Sequence, residues 1–150
     1  WKWNEVMETK NANGGAGFTE YNDGTIQFET TQWSQGYYDN GKIWQTFTLP
    51  KGKYEMRIEV KNAANIGSGS TNIHFAVAQG ESLPDNEELE KSDIILSYLK
   101  FESEHTNKTS ALPIFELTEE KTITVGWVVS FSDICRNIEF KSVRLWSVAE

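Results

Sequence analysis

Apolar and polar residues alternate along much of this chain, and the alternation predicts β-strands rather than helices. Over residues 52–61 the apolar side chains fall on one face and the charged ones on the other; the apolar residues are Tyr54, Met56, Ile58 and Val60. Residues 43–49 alternate in the same way and place Trp44 opposite the face of Ile43. Because residues 50–52, Pro-Lys-Gly, supply turn chemistry between the two runs, we predict that these strands pair as a hairpin.

Further strands are predicted at residues 72–79, 94–101, 112–117, 122–131 and 137–148. The strongest alternation is that of residues 122–131, and it places Trp127 among the core residues. Pro113 moves its strand toward a sheet edge, because proline has no backbone N–H to donate to a neighbouring strand. In the last strand the apolar positions change phase, which predicts a β-bulge near Lys141 or Ser142. The acidic segment 82–92 lacks a sustained apolar stripe, so we predict a solvated loop there in preference to a short helix.

No segment has the apolar periodicity of a helix longer than about two turns. Short strands separated by Gly, Asn and polar loops, with no internal repeat, predict an all-β fold, an antiparallel β-sandwich or jelly roll. A chain of 150 residues matches one domain, so we predict a single β-sandwich domain over residues 1–150. The apolar runs are far shorter than the roughly 20 residues that cross a bilayer, and we expect no membrane insertion.

Charge and cysteine content narrow the classes of partner. The chain has 22 acidic and 14 basic residues and a net charge of −8, which repels phosphate backbones and anionic lipids. Nucleic acid is therefore not an expected partner. Cys135 is the single cysteine and forms no internal disulfide; we predict that it is a small buried or half-buried hydrophobic residue. The chain begins at Trp1 without Met or a leader, so we expect a fragment of a longer protein.

Three strings resemble a known family. Residues 45–54, QTFTLPKGKY, resemble the F-x-L-P-x-G-x-Y signature of galactose-binding-like, carbohydrate-binding-module-like β-sandwiches, found in uncharacterised domains on surface lipoproteins of gut Bacteroidetes. Residues 77–85, VAQGESLPD, and 138–145, IEFKSVRL, fit the same pattern, and the similarity covers residues 43–148. It implies an extracellular, cell-surface or periplasmic location, neighbouring domains in a longer secreted chain and an association with glycans. The ligand loops of such families vary, so the resemblance assigns no site residue.

Aromatic residues between turn formers mark the candidate ligand site, in segment 33–41. A sugar ring presents an apolar C–H face and a fringe of hydroxyls, so its binder needs an aromatic surface with forked polar groups beside it. The predicted ligand-binding residues are Trp33, Tyr37, Tyr38, Asp39, Asn40 and Trp44. In the alternative interpretation the rings close one end of the sandwich, Gly36 and Gly41 provide tight turns, and the N-terminal segment covers Trp44.

Catalytic and metal-binding patterns are weak. His74 and His105 lack the Glu-x-x-His or His-x-x-x-His spacing of a metal site, and no Gly-x-Ser-x-Gly turn presents a serine nucleophile. The pairs Glu87–Glu88 and Glu119–Glu120 fall in polar runs typical of a solvated surface. We therefore expect no catalytic residue, no metal and no cofactor, except that a structural Ca²⁺ would suit an acidic extracellular sandwich.

These observations predict a noncatalytic carbohydrate-binding or glycan-associated module of a surface or secreted bacterial protein. One alternative is a structural or protein-interaction spacer of a surface lipoprotein, whose aromatic end packs against an adjacent domain. Another is an enzyme acting on polysaccharide, which needs two carboxylates about 5–10 Å apart in a cleft. Trp1 and Trp3 lie at the beginning of the chain and are assigned no role.

Overall fold

The computed structural model describes residues 1–8, 17–20, 24–32, 37–67 and 69–149. The strands are β1 (Lys2–Trp3), β2 (Gly17–Glu20), β3 (Ile26–Glu29), β4 (Tyr38–Leu49), β5 (Gly52–Asn65), β6 (Thr71–Gln79), β7 (Ile95–Lys100), β8 (Thr109–Ala111), β9 (Phe115–Leu117), β10 (Lys121–Phe131) and β11 (Asn137–Val148). The helices are α1 (Glu5–Glu8) and α2 (Asn86–Leu89), with a 3₁₀ turn at Ser103–His105. Within the described ranges every helix is as short as the sequence pattern predicted.

The strands form two antiparallel sheets. The order is β1-β4-β10-β6-β7 in the first sheet and β2-β3-β11-β5-β8 in the second, with β9 also paired to β5. Buried residues of both sheets form one continuous core, so the predicted antiparallel β-sandwich is confirmed. Among the described residues, no helix has the length and hydrophobicity needed to cross a membrane.

Trp127 lies in the core between the sheets, as its strand predicted. It is 4% exposed and belongs to β10, the middle strand of the first sheet. Its ring centroid lies 5.0 Å from that of Phe75 in the same sheet and 5.2 Å from that of Phe140 in the second sheet. Aromatic pairs at such distances contribute about 0.5–1.5 kcal/mol beyond the area that they bury. One tryptophan therefore helps to hold the two sheets together.

The predicted hairpin between residues 43–49 and 52–61 is wrong. β4 pairs with β1 and β10, whereas β5 pairs with β11, β8 and β9. The chain therefore crosses from one sheet to the other after β4, and the Tyr54 hydroxyl donates a hydrogen bond to the Pro50 carbonyl oxygen at 2.7 Å. Both strands direct apolar side chains into the space between the sheets. Local turn chemistry does not distinguish this crossover from a hairpin.

Residues 82–92 cover the outer face of the first sheet and do not form the predicted solvated loop. Leu83 is 5% exposed, Leu89 is fully buried, and both pack in a cluster with Ala76 and Ala78 of β6. Because alanines leave room above the sheet, two leucines and one turn of helix are enough to cover it. Two leucines six residues apart give no sustained stripe, which is why the apolar pattern did not predict the cover.

The predicted β-bulge in the last strand is confirmed. The pairing of β11 with β5 shifts register between Phe140 and Ser142. After the shift Val143 and Leu145 pack against the core, while Arg144 between them is exposed. The bulge therefore decides which side chains of this strand reach solvent.

Of two smaller predictions, one is confirmed and the other is wrong. Phe115–Leu117 forms a strand that pairs, among the described strands, with β5 alone, so the edge position predicted from Pro113 is confirmed. Cys135 is exposed, and the prediction that it is buried or half-buried is wrong. It has a φ of 57° and lies in the turn before β11, outside either layer of the sandwich.

Candidate functional site

The structure separates the residues of the predicted aromatic site. Trp33 lies outside the described residues. Tyr37 is 63% exposed, and Asp39 is exposed and lines a depression of about 170 Å³ that also contains Glu87. These two predicted residues are available to a ligand, but no second aromatic side chain with comparable exposure accompanies Tyr37 in the described part of that segment.

Tyr38 belongs to the core. It is 6% exposed, and its ring centroid lies 5.2 Å from that of Phe131. Burial, and secondarily the charge of Glu29, raise the pKa of the Tyr38 phenol well above its ordinary value. Successive side chains of a strand point to opposite faces, so exposed Tyr37 and Asp39 flank an inward-facing Tyr38. The Tyr38 ring is therefore not a surface for a ligand.

Trp44 and Asn40 have structural contacts. Trp44 is half-buried and packs with Leu83 and Leu89 of the cover, and Lys2 of the N-terminal strand β1 lies opposite it in the sheet. Asn40 has a left-handed φ of 54°; its Oδ1 accepts a hydrogen bond from the Asn86 backbone N–H at 2.7 Å, and its Nδ2 donates to Glu87 Oε2 at 3.3 Å. Both side chains thus hold the cover against β4.

Gly41 lies inside β4 rather than in the predicted tight turn. A Cβ at this position would overlap the Cε atom of Met7, which is fully buried. The glycine therefore makes room for α1 to pack on the strand. This close approach explains why a turn-forming residue occurs in the middle of a sheet.

A different cleft has the shape of a ligand site. It has a volume of about 330 Å³ and lies between the sheets, beside edge strand β1. We call it the tryptophan cleft; it is lined by Trp1, Trp3, Gly24, Thr25, Ile26, Ile43, Trp127, Phe140, Lys141, Ser142 and Val143. β3 pairs with β11 only from Asn137 to Phe140, so the described sheet leaves this side of β11 open from the bulge onward.

The first residues of the chain are fixed by pairing with β4. Trp3 lies opposite Ile43, and the Asn4 side chain accepts a hydrogen bond from Lys42 N at 3.1 Å and donates one to Asn40 O at 2.8 Å. Because residues i and i+2 of a strand share a face, Trp1 and Trp3 both point toward the cleft. They are 51% and 43% exposed, so each indole keeps a surface accessible to solvent.

Trp127 forms an inner wall of the tryptophan cleft. Its ring centroid lies 5.5 Å from that of Trp1, with 37° between the ring planes. The buried Nε1–H of Trp127 has no hydrogen-bond acceptor among the residues that the structure describes. A buried donor without a partner is costly.

The rim of the tryptophan cleft is polar. Lys141 and Ser142 lie at the bulge of β11, and Thr25 precedes β3. The lysine side chain is 44% exposed, and its Nζ lies 4.0 Å from Glu59 Oε2. The cleft thus combines aromatic walls with polar residues along its edge, the pattern of a small-molecule site. The Lys141 ammonium and the Ser142 hydroxyl themselves reach Glu59 on the outer face of the second sheet.

Both histidines have structural contacts. His74 is fully buried, with Nδ1 2.8 Å from Asn86 Oδ1, and the 3₁₀ turn residue His105 accepts a hydrogen bond from Glu102 N at 2.8 Å. Within the described ranges no group of three or more His, Cys, Asp or Glu side chains could hold a metal ion, and the lining of the tryptophan cleft includes none of these residue types. A structural Ca²⁺ stays a prediction.

Sequence reasoning missed Trp1 and Trp3. The available signal was their period-two spacing around Lys2, which predicts that both rings share one face of a strand. Nothing local indicated which strand would face them, because the cleft joins β1 to residues more than 120 positions further along the chain.

Solved structures with the same fold include proteins whose descriptions refer to sugars. The carbohydrate recognition domain of Emp47p has a TM-score of 0.56 at 11% identity, covering 99% of this chain and 98% of that one. A putative sugar-binding protein from Bacteroides thetaiotaomicron has a TM-score of 0.52 at 11% identity, with 98% and 88% covered. TmCBM61, in complex with β-1,4-galactotriose, has a TM-score of 0.50 at 12% identity, with 89% and 82% covered. At these identities the likeness shows the fold alone.

The sequence comparisons are more limited. No curated protein matches the chain. A family model described as Domain of unknown function (DUF5013) matches residues 1–126 and so includes the first forty residues, which lie outside the 43–148 resemblance. Since the match spans well over half of the sequence, the chain belongs to the DUF5013 family.

Proposed function

We propose that this protein is a noncatalytic carbohydrate-binding module that holds a saccharide in the tryptophan cleft. The observation that carries the proposal is the convergence of Trp1, Trp3 and Trp127 on one cleft with a polar rim. Indole rings pack against the C–H face of a sugar, while the unpaired Trp127 N–H and the rim hydroxyls bond to sugar hydroxyls.

The expected affinity is modest. By analogy with base stacking, one aromatic contact is worth about 1–3 kcal/mol. Two such contacts with a few hydrogen bonds correspond to a Kd of about 1 mM to tens of µM. Weak binding of this kind becomes effective when the module is tethered beside other binding or catalytic domains. This agrees with a role as one domain of a longer chain.

The cellular location of the protein is also part of the proposal. The resemblance around residues 45–54 supports a secreted or surface-attached bacterial protein, such as a lipoprotein. The location is then extracellular, on the cell surface or in the periplasm. The absence of a carboxylate from the described cleft lining favours binding over hydrolysis.

A spacer is the second candidate function. Trp1, Trp3 and Tyr37 expose aromatic surface that a neighbouring domain can cover. In that case the intact protein buries the tryptophan cleft, and no saccharide reaches it. The two functions therefore differ in whether the cleft is accessible in the full-length chain.

A glycan array followed by calorimetry tests the proposal. The array identifies a saccharide, and calorimetry compares the wild type with Trp1→Ala, Trp3→Ala and the matched control Tyr37→Ala. Loss of one stacking contact should weaken binding about tenfold in each cleft variant, while Tyr37→Ala leaves the Kd unchanged. Circular dichroism confirms that all three variants are folded.

Three outcomes contradict the proposal. The first is an array without binding above background. The second is a Kd unchanged in both cleft variants. The third is binding by the isolated domain that disappears in the full-length protein, which supports the spacer.

A further inference from the structure

The outer face of the second sheet carries two arginines directly opposite one another. In the pairing of β5 with β11, Arg57 lies opposite Arg144, and the next outward pair is Glu55 and Trp146. Like charges in directly opposite positions destabilise a sheet. An anion bound between the two guanidinium groups would remove this repulsion.

The nearby carboxylates leave one of these arginines without a partner. Arg57 donates a hydrogen bond from Nε to Glu55 Oε1 at 2.6 Å, and Glu59 accepts one from Ser142 Oγ at 3.2 Å. Arg144 is exposed, and no hydrogen bond or ion pair joins its side chain to another side chain in the described part of the chain. Its planar set of N–H donors, which suits a carboxylate or sulfate group, is therefore available.

An exposed indole borders the two arginines. Trp146 is 47% exposed, and Arg57 Cζ lies 5.9 Å from its ring centroid, a cation–π distance. Arg144 lies two residues earlier on the same face of β11. These side chains line a depression of about 210 Å³ together with Thr109 of β8, Ser142 and the Glu59 carboxylate, which accepts the hydrogen bond from Ser142. A flat ring that carries an anionic group matches both features.

The outward positions of β5 and β11 carry more basic than acidic residues, in a chain that is acidic as a whole. At the outward positions of β5 and β11, Lys53, Lys61 and Lys141 accompany the two arginines, against three glutamates. The chain as a whole carries a net charge of −8. Anions are therefore attracted to these two strands more than to an average part of the surface.

The geometry points to a second binding site, for a sugar residue that carries a carboxylate or sulfate. The anionic group binds the guanidinium of Arg144, and the ring of the sugar packs against Trp146. We call Arg57, Arg144 and Trp146 the arginine face. Arg144 and Trp146 lie on the opposite face of β11 from Val143, which lines the tryptophan cleft, and Ser142 lines both depressions. The choice of a sugar as the ligand rests on the proposed function, whereas the binding of an anion at this face does not.

Calorimetry with three probes tests the second site: trigalacturonate, a sulfated galactose trisaccharide and neutral galactotriose. At least one anionic probe should bind about tenfold more tightly than the neutral one, because a hydrogen bond to a charged group contributes about 1.5–3 kcal/mol. Binding should weaken as NaCl is raised. Comparison of the two anionic probes shows whether carboxylate or sulfate is preferred.

Variants assign the binding to the arginine face. Arg144→Gln should remove the preference for the anionic probe, Arg144→Lys should retain part of it, and Trp146→Ala should weaken binding about tenfold through lost stacking. Tyr37→Ala changes an exposed aromatic residue outside both sites and is the matched control, which should leave anionic binding unchanged. Trp3→Ala should retain the preference for the anionic probe. Since Arg144 and Trp146 are exposed, the melting temperature of each variant should stay close to that of the wild type.

The inference is overturned if neither anionic probe binds more tightly than galactotriose. It is also overturned if Arg144→Gln binds like the wild type, or if Trp3→Ala alone abolishes the anionic preference. If the anionic probes do not bind at the arginine face but a neutral saccharide still binds in the tryptophan cleft, the second site is contradicted and the proposed function is not.

Discussion

Asn86 is expected to hold the cover of residues 82–92 on the first sheet, and Asn86→Ala tests this directly. The residue is 3% exposed. Its Nδ2 donates hydrogen bonds to Asn72 O at 2.8 Å and Ser130 Oγ at 2.7 Å, and its Oδ1 lies 2.8 Å from His74 Nδ1. Alanine removes all three contacts and leaves the His74 ring nitrogen inside the protein without this partner.

The expected loss in the free energy of unfolding follows from these contacts. Three net hydrogen bonds at about 0.5–1.5 kcal/mol each, with the added cost of an unsatisfied buried group, give about 3–5 kcal/mol. For a domain of this length about 1 kcal/mol moves the melting temperature by 2–4 °C, so we expect a decrease of about 10 °C. Because the tryptophan cleft lies elsewhere, the surviving folded fraction should bind saccharide normally.

Denaturant unfolding with linear extrapolation and calorimetric melting measure the effect. Glu88→Ala on the same helix is the matched control; its side chain is 67% exposed and lies 3.8 Å from Lys91, so its loss should cost less than about 0.5 kcal/mol. A loss below about 1 kcal/mol for Asn86→Ala would refute the reasoning, because the buried contacts would then contribute no more than a surface pair.

Two further predictions concern the core. Gly126→Ala should prevent folding or reduce stability severely, because its Cβ would overlap the Ile43 carbonyl oxygen and lie 2.7 Å from Trp44 Cα; a melting temperature near wild type would contradict this. Tyr38→Ala should lower the free energy of unfolding by about 3–5 kcal/mol, as truncation of a buried aromatic residue does, and an unchanged denaturation midpoint would show that the ring is not core. The pKa of Tyr38 is raised in the folded state, so its stabilising effect is complete below about pH 10 and is lost as the pH rises through the folded-state pKa. In ultraviolet titration Tyr38 should ionise late, together with Tyr98, whose pKa is raised by its hydrogen bond to Glu90. Tyr38→Phe should remove one late transition, whereas ionisation of all tyrosines near pH 10 would contradict the prediction.

Most strands could be predicted because the alternation of apolar and polar residues that marks a strand lies within its own segment of the sequence. The phase change around Lys141 predicted the bulge, and the run containing Trp127 predicted a core strand. The pairing of β4 and β5 was not predictable from the turn between them, since β10 and β11, the partners of these strands, lie some 70 or more residues away. The cover over the first sheet could not be predicted, because two leucines that pack on two alanines make no periodic pattern in the sequence.

The three tryptophans that line the tryptophan cleft lie far along the sequence from the predicted aromatic segment. Aromatic residues beside polar groups were predicted in segment 33–41, but alternation along the chain turns Tyr38 inward and leaves Tyr37 outside. The tryptophan cleft instead joins the first residues of the chain to β10 and the bulge of β11. Only long-range packing brings these residues together, so no local string of the sequence contains the site.

The central claim, that a saccharide enters the tryptophan cleft, is tested most directly by nuclear magnetic resonance of the six indole N–H groups. The ¹⁵N-labelled protein is titrated with the saccharide that the array identifies, and each signal is assigned by single Trp→Phe substitutions. We predict saturable shifts of the Trp1, Trp3 and Trp127 signals, with the Trp127 N–H moving in the direction of a new hydrogen bond, while Trp44 stays unchanged. Saturable binding that leaves these three signals in place would contradict the account.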